Sequence, residues 1–245
     1  MPPITPTIFL LAAKSRAPHK LLLRIVPHQS NSQYPDLRYT TQSIRELTEE
    51  REPVMKPVPL SKWDKSLEHV IDDMSGRPLN VHSLMANHPK LLNAWWDFRN
   101  YAVRGGALGQ RDCELVILRV AVHMRSWYEW ASHVDRGLAA GLSIEEIERV
   151  RQAPDSPEWD ERDSSLLTAI DDLLTERAIH SDTLARLSQH FSDHQIMDVV
   201  AIHGIYITLG CMTNTWGLAL DGPVLDRLPD GVSRSEFERS IGSAK

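Results

Sequence analysis

From about Ser61 onward the apolar residues recur at intervals of three and four, and strand-like alternation never lasts more than a few residues. That spacing lays an apolar stripe along one helix after another and gives a sheet nothing to build from, so the chain is expected to be all-α. The punctuation agrees with the periodicity. Lys90 to Val103, "KLLNAWWDFRNYAV", follows His88-Pro89 and stops at Gly105-Gly106, with proline at the start and glycine at the stop. Gln110 to Met124 is apolar on nearly every face and reads as a central buried helix. Further helices are expected over Ser126 to Ala140, Ser143 to Gln152, Asp163 to Arg177, Ser181 to Phe191 and Ser192 to Asp221, with "APDSPEWDERD" as a polar loop between them. Ser126, Ser143 and Ser192 are each followed three residues later by Glu or Gln, the spacing of a capping box. The total comes to roughly seven or eight helices.

Residues 1–54 are a different kind of sequence. They are rich in proline, lack sustained periodicity, and through Arg45 carry six Lys or Arg against one acid, Asp36. Such a segment reads as disordered, as an organelle transit segment, or as an extension upstream of a true start at Met55. The helical domain is accordingly placed at 55–245.

Over its 245 residues the chain has a formal net charge of −6, which argues against a general nucleic-acid binder, since phosphate neutralisation needs a concentrated basic face. A small molecule or a protein is the expected partner. Cys113 and Cys211 are the only cysteines, too few for a disulfide framework or a CxxC pair, which fits a reducing compartment. No run approaches the ~18 apolar residues of a membrane span. The expected location is the cytoplasm, or the mitochondrion if 1–54 is a transit segment.

The chemistry concentrates in "RSWYEWASHVDRG", Arg125 to Gly137. Glu129 and His133 lie i,i+4, about 40° apart around a helix and within reach of each other. Trp127, Tyr128 and Trp130 flank the pair, so the contact is expected to be partly desolvated, which moves pKa values. Glu114, a carboxylate on an otherwise strongly apolar helix, needs a partner, and His133 from the next helix is the candidate. Two carboxylates around one imidazole suit general acid–base work near neutral pH; a satisfied structural network is the other reading. His123 and His203 face inward on neighbouring helices, but Glu-x3-His supplies only two ligands and no closely spaced His pair supports a metal. For His203 a core role is the plainer reading. Neither Cys113 nor the serines sit in a nucleophile elbow.

These residues resemble a known family. An acid on an apolar helix followed by "YEWASHVDRGLAAGLSIEEI" looks like the carboxymuconolactone decarboxylase family within the alkylhydroperoxidase D-like (AhpD-like) superfamily. The likeness rests on Glu114, Tyr128, Glu129, Trp130, His133, Gly141, Leu142, Ser143 and Ile147, and the helical layout extends it from about Leu60 to Asp221. It implies an AhpD-like helical bundle that assembles as a homotrimer or homohexamer with sites built between chains. The redox branch carries Glu-x11-Cys-x2-Cys-x3-His; counted from Glu114, those cysteine positions hold Ser126 and Glu129, so CxxC peroxide chemistry is not expected. The resemblance instead implies cofactor-free decarboxylation of a carboxylated lactone or a related enol or keto acid. His133 is then the proton donor, tuned by Glu129, with Glu114 as relay carboxylate. Tyr128, Trp130, Arg119, Arg136 and His203 are the candidate substrate-binding residues. An alkylhydroperoxidase-type antioxidant using another thiol and a non-catalytic oligomeric binding protein are the alternatives.

Overall fold

Helix boundaries follow the capping chemistry closely. The computed structural model describes residues 55–104 and 106–242; the expectations for 1–54 lie outside the described residues. Eleven α-helices and two short 3-10 turns make up the described chain, with no strand among them. The helices are α1 (Glu68–Asp73), α2 (Asn80–Met85), α3 (Pro89–Val103), α4 (Gln110–His123), α5 (Trp127–Ala139) and α6 (Ile144–Arg149), followed by α7 (Glu161–Thr175), α8 (Ser181–Leu187), α9 (Asp193–Thr215), α10 (Gly222–Leu225) and α11 (Arg234–Gly242). The count exceeds seven or eight because α1, α2, α10 and α11 are short. A helix of one or two turns displays too little of the 3.6-residue repeat to be separated from its neighbours by pattern alone.

Every residue of α4 from Asp112 to Val122 is buried, as its all-round apolar character requires. Helices α5, α7 and α9 pack around it. Helix α9 is long and apolar enough by length and composition to cross a membrane, but it is a central packing helix: Ile196, Val199, Ile202, Ile205 and Leu209 are buried in the core. It ends at Thr215, six residues short of the expected Asp221.

The corner between α4 and α5 is tight. Arg125 adopts φ +51°, and its amide donates to Val122 O at 3.0 Å while the Ser126 amide donates to Ala121 O at 3.0 Å. This pair of bonds is the Schellman closure of α4. Ser126 then turns and caps α5, its Oγ accepting from the Glu129 amide at 3.3 Å. One residue ends one helix and starts the next. Because the Ser126 amide is already bonded, the Glu129 carboxyl does not close the expected capping box and turns into the protein. At Ser143/Glu146 and Ser192/Gln195 both halves of the box form.

A second tie fixes the α3–α4 turn. The Asp198 carboxylate on α9 accepts from Tyr101 Oη at 2.6 Å and from the amides of Ala107 at 2.6 Å and Leu108 at 3.2 Å. Gly106 lies under this carboxylate at φ +50°, where an added Cβ would stand 2.6 Å from Asp198 Oδ2 and 2.8 Å from the Tyr101 ring. Both the backbone conformation and the space demand glycine. Gly106→Ala is therefore expected to destabilise the fold by about 2 kcal/mol or more, read as a lowered urea midpoint.

Candidate functional site

Residues 129, 132, 133 and 136 follow the i, i+3, i+4, i+7 spacing of one helix face. On α5 they are Glu129, Ser132, His133 and Arg136, a polar stripe that faces α4 and α9 rather than solvent. Glu129, Ser132 and His133 are each no more than 5% exposed. The other side of α5 is apolar: Trp130 is buried against Phe237 with ring centroids 5.3 Å apart, and Trp127 packs on the same ring at 5.9 Å. Trp130 thus belongs to the core beneath α11, and the expectation that the tryptophans desolvate the site is corrected. Tyr206 of α9 does so instead, its ring edge-on to His133 at 5.0 Å.

Glu114 and His133 meet as expected. His133 Nδ1 lies 2.6 Å from Glu114 Oε2, with both residues buried. At the opposite ring nitrogen, Arg136 Nη1 approaches Nε2 at 3.3 Å and Glu129 Oε2 stands 3.9 Å away. A guanidinium can only donate, so Nε2 carries the lone pair and the ring proton sits on Nδ1, donating to Glu114. The imidazole is held neutral. Burial, opposed by Glu114 and reinforced by Arg136, moves its pKa below the ordinary value. Glu129 shifts the other way: burial, only partly offset by Arg136, raises its carboxyl to about 7. Two groups pushed in opposite directions put an acid beside a base at neutral pH.

Glu129, Ser132 and His133 line an inner pocket of about 30 Å³ whose walls also include Tyr128, His82 and Tyr206. An outer cleft of about 340 Å³ touches Glu114, Gln110 and Ala140. Both spaces are bounded by Arg99, Val103 and Arg136, which form the wall between them. Arg99 stacks over Trp96 at 4.9 Å and donates to Asn100 Oδ1 at 3.0 Å; among the described residues neither it nor Arg136 forms an ion pair with a carboxylate. Guanidiniums at a cleft with donors not taken by a carboxylate have the chemistry to receive an anion.

The remaining sequence candidates lie as follows. Tyr128 lines the inner pocket, but its hydroxyl donates to Asp221 Oδ2 at 2.6 Å and accepts from the Val81 amide at 3.2 Å, joining α5 to α2 and to the segment after α9. Arg119 is not in the cleft. Its buried guanidinium is forked onto Asp171 at 2.7 and 2.5 Å and donates to the carbonyls of Val150 and Gln152, so the protein takes up four of its five N–H donors. His203 lines neither cavity; it is half-buried on α9, its Nε2 has no hydrogen-bond partner, and burial lowers its pKa, as does His123, which itself bonds Asp171 at 2.8 Å. Cys113 is buried and donates to Ala102 O at 3.1 Å, with burial pushing its thiol pKa up. Among the described residues no group of three or more His, Cys, Asp or Glu side chains is arranged to hold a metal ion. Arg99 and Ser132 were not singled out from the sequence. The periodicity of α5 was the available signal for Ser132; for Arg99 there was only its spacing three residues beyond Trp96.

This is an all-helical AhpD-like fold. An uncharacterized peroxidase-related protein from Ralstonia eutropha JMP134, described as an alkylhydroperoxidase AhpD core, is similar with a TM-score of 0.61 at 18% identity, over 73% of this chain and 99% of that one. A peroxidase-related protein from Silicibacter sp. TM1040 gives 0.59 at 16%, over 73% and 97%. The debrominase Bmp8 gives 0.61 at 14%, over 77% and 97%. At these identities the likeness is one of fold. No curated protein matches the chain. Residues 89–172, which carry Glu114, Glu129, His133 and both arginines of the wall, match the carboxymuconolactone decarboxylase family. The family match is confined to residues 89–172, the likeness to the solved structures is one of fold, and the sequence contains no CxxC pair.

The raised Glu129 pKa has a thermodynamic signature. An unfolded chain releases this proton near 4.5, whereas the folded chain keeps it to about 7. Between those values the folded state holds the extra proton, so stability falls as pH rises through the window and stays lower above it. Glu129→Gln removes that slope. Relative to wild type, the variant is expected to gain on the order of 3 kcal/mol between pH 4 and pH 8, measured as urea midpoints at both values; a gap that does not change with pH would exclude the shift.

Proposed function

We propose that the protein is a decarboxylase-like enzyme acting without a thiol on a small carboxylated lactone or a related enol or keto acid. One observation carries the reading: a buried carboxyl held protonated to about pH 7, Glu129, stands beside a neutral imidazole at a cleft walled by two guanidiniums that lack a carboxylate partner. Arg99 and Arg136 hold the substrate carboxylate. As the C–C bond to CO2 breaks, its electron pair passes into the conjugated carbonyl, and the resulting enolate takes a proton at carbon. The tautomer of His133 reassigns that proton from the imidazole to Glu129. Glu129 is left as a carboxylate and regains its proton from solvent as the product leaves, while Glu114 keeps the His133 ring oriented with Nε2 as an acceptor. Peroxide reduction is the weaker reading, because Cys113 is buried with a raised pKa and no second thiol is near in sequence.

Release of CO2 from γ-carboxylated lactones and β-keto acids, followed by mass spectrometry, tests the reaction. Glu129→Gln and His133→Ala are expected to lower kcat at least a hundredfold in folded protein, whereas Arg136→Ala raises KM with a smaller effect on kcat. Full turnover in both of the first two variants would rule the proposal out.

We further propose that the chain works as a homotrimer or homohexamer. Helix α9 is apolar on all sides, yet Met197 is 69% and Val200 44% exposed. Phe98 and Tyr101 of α3 add exposed rings, and Tyr101 is bonded to Asp198 of α9. An apolar surface of this kind suits a second copy of the chain. Replacing both Met197 and Val200 by Glu is expected to shift the mass measured by light scattering toward the monomer.

A further inference from the structure

Hydroxyls inside helices ordinarily donate back to a carbonyl of their own helix. In this protein Ser165, Thr168, Thr175, Thr208 and Thr213 all do so. Ser132 does not. It is 5% exposed, its Oγ has no hydrogen-bond partner, and it lines the inner pocket. Glu129 Oε1, one helical turn earlier on the same face, is also buried and unpartnered and lines the same pocket. Natural proteins rarely leave two such groups side by side, because each loses its hydration and gains nothing in return. Where they line a cavity, a ligand that satisfies them recovers both.

We propose that Ser132 Oγ is the hydrogen-bond donor to a carbonyl oxygen of the ligand, which enters the inner pocket while the ligand's carboxylate remains on Arg99 and Arg136 and its body lies in the outer cleft. The dimensions divide the ligand in this way. An inner space of about 30 Å³ admits a carbonyl or hydroxyl end and no ring, whereas about 340 Å³ outside admits a small ring or a short acyl chain. The wall that both spaces share carries the two guanidiniums that have no carboxylate ion pair among the described residues. The molecule that fits is therefore a small acid bearing a second, carbonyl oxygen. A simple monocarboxylate leaves Ser132 unsatisfied, and a site built to bond an oxygen discriminates against analogues that lack it.

Resting on the decarboxylase reading, this gives the enolate oxygen a partner of its own. The carbonyl oxygen takes up the electron pair released from the breaking C–C bond, Ser132 O–H stabilises it, and CO2 departs. The Glu129 proton is then free to form the new C–H bond, so the two unpartnered oxygens do different work. Ser132 binds charge that develops, and Glu129 supplies the proton.

Calorimetric titration of the full chain with γ-carboxy-γ-butyrolactone and with tetrahydrofuroate, which differ only in the lactone carbonyl, tests the inference without needing turnover. Wild type is expected to bind the lactone about tenfold more tightly, the usual upper worth of a neutral hydrogen bond. Ser132→Ala should bring the ratio close to one while leaving tetrahydrofuroate affinity unchanged, with a wild-type circular dichroism spectrum and urea midpoint, since no protein hydrogen bond is lost. The inference is overturned if wild type shows no preference, if the preference survives in Ser132→Ala, or if neither compound binds. A carbonyl preference that depends on Ser132, in a protein that releases no CO2 from any acid tested, would instead remove the decarboxylase reading and leave the carbonyl site standing.

Discussion

The hydrogen bond between His133 and Glu114 is the contact on which the site depends. It joins the two most deeply packed helices, α4 and α5, through two side chains that water hardly reaches. A carboxylate on α4 with no partner would be costly to bury, and an imidazole with free rotation could not hold one tautomer. With the bond made, Nε2 is fixed as an acceptor. Arg136 can then donate to it, and Glu129 lies next to a lone pair rather than a cation. Burial raises the Glu129 pKa, and Arg136 offsets only part of that rise.

The rest of the fold holds those helices at the required separation. Asp198 ties the turn that introduces α4, Arg119 and Asp171 lock its far end to α7, and the Arg111 and Arg162 ion pairs with Asp163 and Asp112 hold α7 against its beginning. Each tie satisfies a polar group that the packing would otherwise strand. This also separates Arg119 from Arg136. Both are arginines near the apolar centre, but Arg119 has four of its five N–H donors engaged by the protein, whereas Arg136, among the described residues, makes one hydrogen bond, to His133. That difference, rather than position in the chain, is why the proposed carboxylate contact falls to Arg136 and not to Arg119.

Much of the architecture was legible in the sequence because its cause is local. Periodicity and serine caps located α3 to α9 to within a few residues at most ends, and the i,i+4 relation of Glu129 and His133 with the lone acid of α4 brought the three site residues together. Failures came where tertiary geometry decides. Which face of α5 meets the core could not be told while tryptophans and acids were both treated as flanking the pair; the structure puts Trp127 and Trp130 on one side and Glu129, Ser132, His133 and Arg136 on the other. The tautomer of His133 depends on Arg136 being an obligate donor at 3.3 Å, a distance that spacing does not supply. Arg99 was invisible because it reaches the site from α3, and no sequence rule relates it to residues of α5.

The corner at Ser126 has an evolutionary consequence. Its amide closes α4 and its hydroxyl opens α5, so the residue is a structural hinge-pin at one of the two positions that are cysteines in the redox relatives. A thiolate at such a helix start would face the same amides, which favour its charged form, whereas the serine hydroxyl accepts from the Glu129 amide and stays a neutral alcohol. The corner thus keeps the mechanical half of the position, ending one helix and starting the next, and omits the nucleophile.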